Sequence, residues 1–68
     1  MTNPIIDKFG NKRWYNSKGQ LHRDDGPAEE SWYYKYWWRN GELHREDGPA
    51  AEWNNGDKWW YIKGKRIT

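Results

Sequence analysis

An eight-residue word occurs twice in this chain, and that repetition limits the fold more than any other feature. Leu21-His22-Arg23-Asp24-Asp25-Gly26-Pro27-Ala28 returns 22 residues later as Leu43-His44-Arg45-Glu46-Asp47-Gly48-Pro49-Ala50, with one letter changed, Asp24 to Glu46. A fixed period of this length marks one supersecondary unit copied and stacked on itself. Tyr15-Asn16-Ser17-Lys18-Gly19, Trp37-Trp38-Arg39-Asn40-Gly41 and Trp60-Tyr61-Ile62-Lys63-Gly64 align as aromatic strands running into glycine turns. The third is followed by Lys65-Arg66-Ile67-Thr68 in place of a full word. The expected organisation is one domain over 1–68, with units near 9–30, 31–52 and 53–68.

What such units bury has to be aromatic. Valine is absent, and two leucines and four isoleucines stand against seven tryptophans, five tyrosines and one phenylalanine. Each aromatic can bury roughly 150–250 Å² and so replace aliphatic core. The chain has no cysteine, which removes disulfides, Cys-based zinc sites and thiol nucleophiles. A chain of this size buries only about 60% of the surface its unfolded form exposes. Dense packing or self-association must then supply stability, and a homo-oligomer is expected.

Tryptophan and tyrosine favour strands, and no 3.6-residue apolar periodicity is present. Phe9-Gly10-Asn11-Lys12 and Asn54-Asn55-Gly56-Asp57 carry the residues that tight hairpin turns require. Ser31-Trp32-Tyr33-Tyr34-Lys35 has no glycine, and the stretch from Ala28 to Gly41 is one residue shorter than that from Ala50 to Gly64. A different turn type or a bulge is predicted there. Pro27 and Pro49 fall at strand starts, where a missing N–H is tolerable. The fold expected is all-β, an antiparallel meander of about three β-hairpins in a twisted repeat sheet. Its six short strands are predicted near 4–8, 12–16, 28–33, 35–39, 50–54 and 58–63.

Net charge is +2, with acidic and basic residues interspersed throughout, which permits an anionic partner without demanding one. The charged fraction of 32% and the lack of a long apolar run argue against a membrane protein. Met1-Thr2-Asn3-Pro4-Ile5-Ile6 has neither a basic start nor an apolar core, so no secretion signal is read there. The expected location is the cytoplasm of a bacterium or a phage-infected host cell.

Within the word, Asp-Gly-Pro-Ala is turn chemistry. Proline pushes its predecessor out of the helical region, and Asp25 and Asp47 are placed to bond their own turn backbone. His22 and His44 each have an aspartate three residues on, in the order of a His–carboxylate pair. A catalytic site would also need a positioned nucleophile and an oxyanion pocket. Ser17 and Ser31, the only serines, recur in no common place. No catalytic residue, metal site or cofactor is therefore assigned, and an enzyme is not expected. Arg23 and Arg45 are candidates for contact, because guanidinium grips phosphates and carboxylates and stacks on aromatics. His22 and His44 join them as candidate ligand contacts.

The aromatic strands carry the second signal. Side chains alternate faces along a strand, so Trp38 shares a face with Tyr36 while Trp37 points opposite, and Trp60 opposes Trp59. Both faces of the sheet then read as aromatic. Either the sheet curls on itself, or one face meets a partner. Trp32, Tyr33, Trp37, Arg39 and Trp60 complete the candidate binding set.

Asn40-Gly41-x-Leu43-His44-Arg45-x-Asp47-Gly48-Pro49-Ala50-x-x-Trp53-x-x-Gly56-x-x-Trp59-Trp60-Tyr61-x-x-Gly64 resembles a MORN-type repeat, in the variant of small phage and bacterial proteins. The resemblance covers about residues 9–68. It implies β-hairpins of about 23 residues stacked side by side in an elongated antiparallel sheet, and protein-interaction or lipid-associated scaffolds. It supplies no catalytic residue, and its phage setting implies an accessory or counter-defence protein acting as an inhibitor. The chain departs from the pattern in its glycine-poor middle hairpin and its shortened third unit.

Three functions are expected in order. The first is a non-enzymatic protein that binds a host or phage protein through its aromatic surface, since tyrosine, tryptophan and arginine are the residues of interface hot spots. The second is sequestration of an anionic small molecule, such as a nucleotide signal, in a Trp/Arg/His pocket. The third is single-stranded nucleic-acid binding, which the interleaved acids disfavour.

Overall fold

The computed structural model describes residues 3–67; Met1, Thr2 and Thr68, the ends of the expected 1–68 domain, lie outside the described residues. The fold is all-β. A six-stranded antiparallel sheet is built from β1 (Ile5–Ile6), β2 (Lys12–Arg13), β3 (Glu29–Glu30), β4 (Tyr34–Tyr36), β7 (Ala51–Trp53) and β8 (Lys58–Trp59), in that spatial order. Two further hairpins pair β5 (Trp38–Arg39) with β6 (Glu42–Leu43), and β9 (Tyr61–Ile62) with β10 (Lys65–Arg66). A bridge between Tyr15 and Leu21 makes the same small hairpin in the first unit. Each repeat therefore contributes a hairpin to the main sheet and then a smaller hairpin beside it.

Each turn follows from its residues. Asp7 and Asn11 close the first hairpin, with Gly10 N–H donating to Asp7 C=O and the Asp7 carboxylate accepting from the N–H groups of Phe9 and Asn11. Trp53 and Asp57 close the third hairpin by the same backbone pattern. The middle turn differs, as expected. Ser31 N–H donates to Tyr34 C=O across a two-residue loop of Trp32 and Tyr33. In the second small hairpin, Asn40 and Gly41 both have positive φ (49° and 80°), the geometry of a turn that matches strand twist.

Cross-strand register sorts the side chains. Ile5, Arg13, Glu29, Tyr36, Ala51 and Trp59 form one row across the six strands, and Ile6, Lys12, Glu30, Lys35, Glu52 and Lys58 the next. Adjacent rows face opposite ways. One face therefore carries a ladder of alternating sign, Lys12-Glu30-Lys35-Glu52-Lys58, where opposite charges face each other across strands at about 0.2–1 kcal/mol per pair. The other face is aromatic. Tyr34 stacks on Tyr36 at 4.3 Å, Tyr36 meets Trp53 edge-on at 5.6 Å, and Trp53 meets Trp59 at 5.1 Å. Aromatics also meet the ladder side, where the arginines that reach Glu30 and Glu52 lie over Trp14 and Trp37. Consecutive aromatics such as Trp37-Trp38 occur where a strand leaves the main sheet for the small hairpin, not along one flat ribbon.

The core lies on the aromatic face and at the elbows. Glu29 is its polar centre, only 12% exposed, and accepts from Arg13 Nε at 3.3 Å, Tyr34 O–H at 3.0 Å and Trp38 Nε1 at 3.3 Å. At the elbows Ala28 and Ala50 are 0% exposed. Trp14 N–H donates to Ala28 C=O, and Trp37 N–H to Ala50 C=O. Ala28 and Glu29 both face Tyr36, and Ala50 and Ala51 both face Trp59, so each copy carries a bulge that bends the strand. The Cα envelope is 31 × 26 × 15 Å, thin enough that no large side chain among the described residues is fully enclosed.

Candidate functional site

The word's chemistry is a joint. Arg23 lays its guanidinium over the Trp14 ring at 3.8 Å, donates from Nε to Asp25 at 3.0 Å and from Nη1 to the Pro27 carbonyl at 3.1 Å. Arg45 repeats this over Trp37 at 3.9 Å, with Asp47 at 3.1 Å and the Pro49 carbonyl at 3.0 Å. Each arginine also reaches the charge ladder, Arg23 to Glu30 at 3.8 Å and Arg45 to Glu52 at 3.2 Å. Glycine follows aspartate because a Cβ at Gly26 or Gly48 would stand 3.0 or 2.9 Å from the arginine Cζ. The expected aspartate-to-backbone bond is corrected here: Asp25 and Asp47 hold the arginine side chains.

The histidines hold the seams between units. Asn40 N–H donates to His22 Nδ1 at 2.9 Å, and Lys63 N–H donates to His44 Nδ1 at 3.0 Å. Nδ1 must offer a lone pair in both, so the ring proton sits on Nε2. The carboxylate at Nε2 is not the aspartate three residues on. His22 Nε2 lies 3.0 Å from Asp24, and His44 Nε2 lies 3.8 Å from Glu46. The same seams are closed by Gly41 N–H to Leu21 C=O and Gly64 N–H to Leu43 C=O. In the first small hairpin, Asn16 Oδ1 accepts from the N–H groups of Lys18 and Gln20 within its own turn.

Of the candidate binding residues, Arg23, Arg45 and Trp37 lie inside this joint, and His22 and His44 inside the seams. Trp60 is half-buried where β8 passes into β9, its C=O accepting from Ile67 N–H. Arg39 is exposed on β5. A cleft of about 600 Å³ opens between the two copies of the word, with Arg39, His44 and Glu46 on its wall.

Trp32 and Tyr33 stand apart at the tip of the middle hairpin, 79% and 64% exposed, with rings edge-to-face at 5.2 Å. The tip is fixed from below. Tyr33 N–H donates to Ser31 Oγ, Asn54 N–H to Tyr33 C=O at 2.8 Å, and Asn54 Nδ2 to Trp32 C=O at 3.3 Å. A hollow of about 250 Å³ lies beside them, lined also by Tyr34, Trp53 and Asn54. Phe9, 77% exposed, crowns the neighbouring tip at the same end of the sheet.

Two features escaped the sequence reading. One is the row of Lys12, Lys35 and Lys58, visible as Lys-x-Trp at 12–14, 35–37 and 58–60, with a period of 23 residues. The other is Glu29, whose role as a shared acceptor carries no local signal. Among the described residues no cluster of His, Cys, Asp and Glu has the arrangement of a metal site, and no helix is long and apolar enough to cross a membrane. Set against protein-family models, curated proteins and solved structures, the chain matches none.

Proposed function

We propose that this protein is a non-enzymatic binding module that seats the Trp32–Tyr33 tip in a partner protein. The observation that carries the reading is a pair of large aromatics, mostly exposed, on a turn held by three hydrogen bonds, one accepted by Ser31 Oγ and two donated by Asn54. Exposed aromatics of this size act as anchors when their backbone is fixed beforehand, because little conformational entropy remains to be lost on binding. Phe9 on the adjacent tip extends the same apolar rim. The phage or bacterial accessory setting, with an inhibitory or counter-defence role in the cytoplasm, rests on the MORN resemblance alone. Self-association rests on the small core.

Capture of an anionic nucleotide, or of single-stranded nucleic acid, asks for free arginines beside open aromatic faces. Arg23 and Arg45 instead cover Trp14 and Trp37 and are bonded to carboxylates. The protein-contact reading is therefore preferred.

Its test uses two substitutions that leave every joint intact. Trp32→Ala and Tyr33→Ala should keep the wild-type melting temperature. Each should weaken a purified complex with the native-host partner by about 30-fold, the loss of one hot-spot anchor of about 2 kcal/mol. Unchanged affinity in both variants would sink the reading. Trp37→Ala cannot serve, since it removes the plate under Arg45.

A further inference from the structure

The two copies of the word differ at one letter, and with it the distance from a carboxylate to the histidine Nε2 changes. Both rings carry their proton on Nε2, because backbone N–H groups occupy Nδ1. In the first copy Asp24 stands 3.0 Å from that nitrogen. In the second, Glu46 is 3.8 Å away, the His44 side chain is 8% exposed, and Nε2 has no hydrogen-bond partner. A buried donor left open is rare and asks for an acceptor.

A second group is free beside it. Among the described residues Arg39 enters no ion pair and no side-chain hydrogen bond. Its counterpart in the first unit by cross-strand pairing, one place off the glycine alignment, is Asn16, which is tied to Gln20 at 2.9 Å and to Asn40 at 3.2 Å. Arg39, His44 and Glu46 line both the cleft between the words and a smaller hollow of about 240 Å³ alongside, so they stand where the two meet. The cleft also holds carboxylates. Asp25 and Asp47 are held by the word's arginines, whereas Asp24 and Glu46 are 80% and 75% exposed and face only histidine.

We infer that this cleft binds a small carboxylate that also bears an amine, the amino-acid class of ligand. The carboxylate oxygens accept from His44 Nε2–H and from the Arg39 guanidinium, a charge-assisted pair. Glu46, exposed and unbonded to His44, turns aside to let the ligand reach Nε2 and receives the ammonium together with Asp24. A polyanion does not fit, because four carboxylates line the cleft against three arginines, two of which are already bonded to Asp25 and Asp47. The site is separate from the Trp32–Tyr33 tip and does not depend on a protein partner.

The test is a nuclear magnetic resonance titration of the full chain with a panel of free amino acids, following the His44 ring and Arg39 side-chain nitrogens. Acetate and ethylammonium serve as single-charge controls. At least one amino acid should move both signals with a dissociation constant of about 1 mM or below, and both controls should bind about 10-fold more weakly or worse. Arg39→Gln should weaken binding by about 10-fold. Glu46→Asp gives the second copy the letter of the first. It should close Nε2 and abolish binding with the fold unchanged. The inference is overturned if no amino acid perturbs these signals at about 20 mM, a concentration that would half-fill even a very weak site. It is equally overturned if acetate binds as tightly as any amino acid, or if Glu46→Asp binds like the wild type.

Discussion

Removing the Glu29 carboxylate should bring the protein close to unfolding. Glu29 joins three strands through one side chain: Arg13 of β2, Tyr34 of β4 and Trp38 of β5. The Tyr34 bond at 3.0 Å is charge-assisted, and such bonds contribute about 1.5–3 kcal/mol each. The Arg13 and Trp38 bonds, both at 3.3 Å, belong at the low end. Arg13 also keeps Asp7 at 3.7 Å as a second carboxylate. Glu29→Ala therefore costs about 3–4 kcal/mol, since it also leaves half-buried donors unmatched. Glu29→Gln, which keeps shape and one acceptor oxygen, costs about 1–2 kcal/mol. A chain of this length holds roughly 3–10 kcal/mol in total, so the alanine variant sits near its threshold. The assay is urea unfolding followed by tryptophan fluorescence. With a slope of about 1 kcal/mol/M, the glutamine midpoint falls by about 1–2 M. Tyr34→Phe costs about 1.5–3 kcal/mol alone and less in the Glu29→Gln background, because the bond it removes is already weakened. An alanine variant that loses less than about 1 kcal/mol would refute the reasoning, placing Glu29 among ordinary surface substitutions.

Other parts of the fold give further expectations. Gly48→Ala places a Cβ 2.9 Å from Arg45 Cζ, so the guanidinium must shift on Trp37 and strain its bonds to Asp47 and Pro49, and a loss of about 1 kcal/mol is expected by thermal melting; Gly26→Ala, at 3.0 Å from Arg23, should cost slightly less. His22→Phe keeps an aromatic plate but removes the acceptor for Asn40 N–H. Hydrogen exchange at that amide should quicken by about 10-fold while Gly10, in another turn, is unaffected. The Tyr34 hydroxyl titrates above the usual tyrosine range, chiefly through burial and then through its bond to the Glu29 carboxylate; Tyr36 is raised chiefly by burial, against a hydrogen bond from Trp53. Both hold their protons longer folded than unfolded. Stability should be full below the unfolded tyrosine value of about 10 and decline as pH rises through the folded values. Phenolate absorbance of Tyr34→Phe and Tyr36→Phe variants should show that the signal each one removes lies above the usual tyrosine range, and a lost signal inside that range would contradict the burial argument.

The main sheet was readable because its signals are local. Five strands of the six-stranded sheet fall inside a predicted segment and β4 begins one residue before its own, since alternating aromatic and charged residues between turn signals need no tertiary information. The glycine-free middle turn was legible for the same reason. The small hairpins were not separated from the strands that lead into them, although Asn40-Gly41 is a strong hairpin dipeptide. Trp37 and Trp38 read as one continuous strand because nothing local tells a strand from its bend at a bulge. The bend at Ala28 and Ala50 comes from two residues facing one across the ladder, a pairing that forms only when distant strands meet. The word's aspartates were misassigned for a related reason. Asp25 has both its own turn backbone and the Arg23 side chain within reach, and guanidinium stacked on Trp14 is the better-oriented donor. The charge ladder shows the reverse case. Lysines and glutamates looked interspersed along the chain, yet register sets them opposite one another with alternating sign.

A repeat separates residues by how often they are used. A residue that recurs at every unit does the same job each time, and here that job is joining: arginine on tryptophan, aspartate on arginine, histidine on the next unit's turn. A binding site used once has to be made from residues that occur once, because recurring ones are already bonded within the fold. Three departures from the repeat meet that condition. Trp32 and Tyr33 stand where the other hairpins place glycine turns, Glu46 stands where the first word has Asp24, and Arg39 takes the cross-strand place that Asn16 holds in the first small hairpin. The first departure exposes two aromatics on a fixed turn, and the other two open a histidine proton beside a free guanidinium. Both candidate sites therefore lie where copying was broken, and the motif that first draws attention is the scaffold that holds them in place.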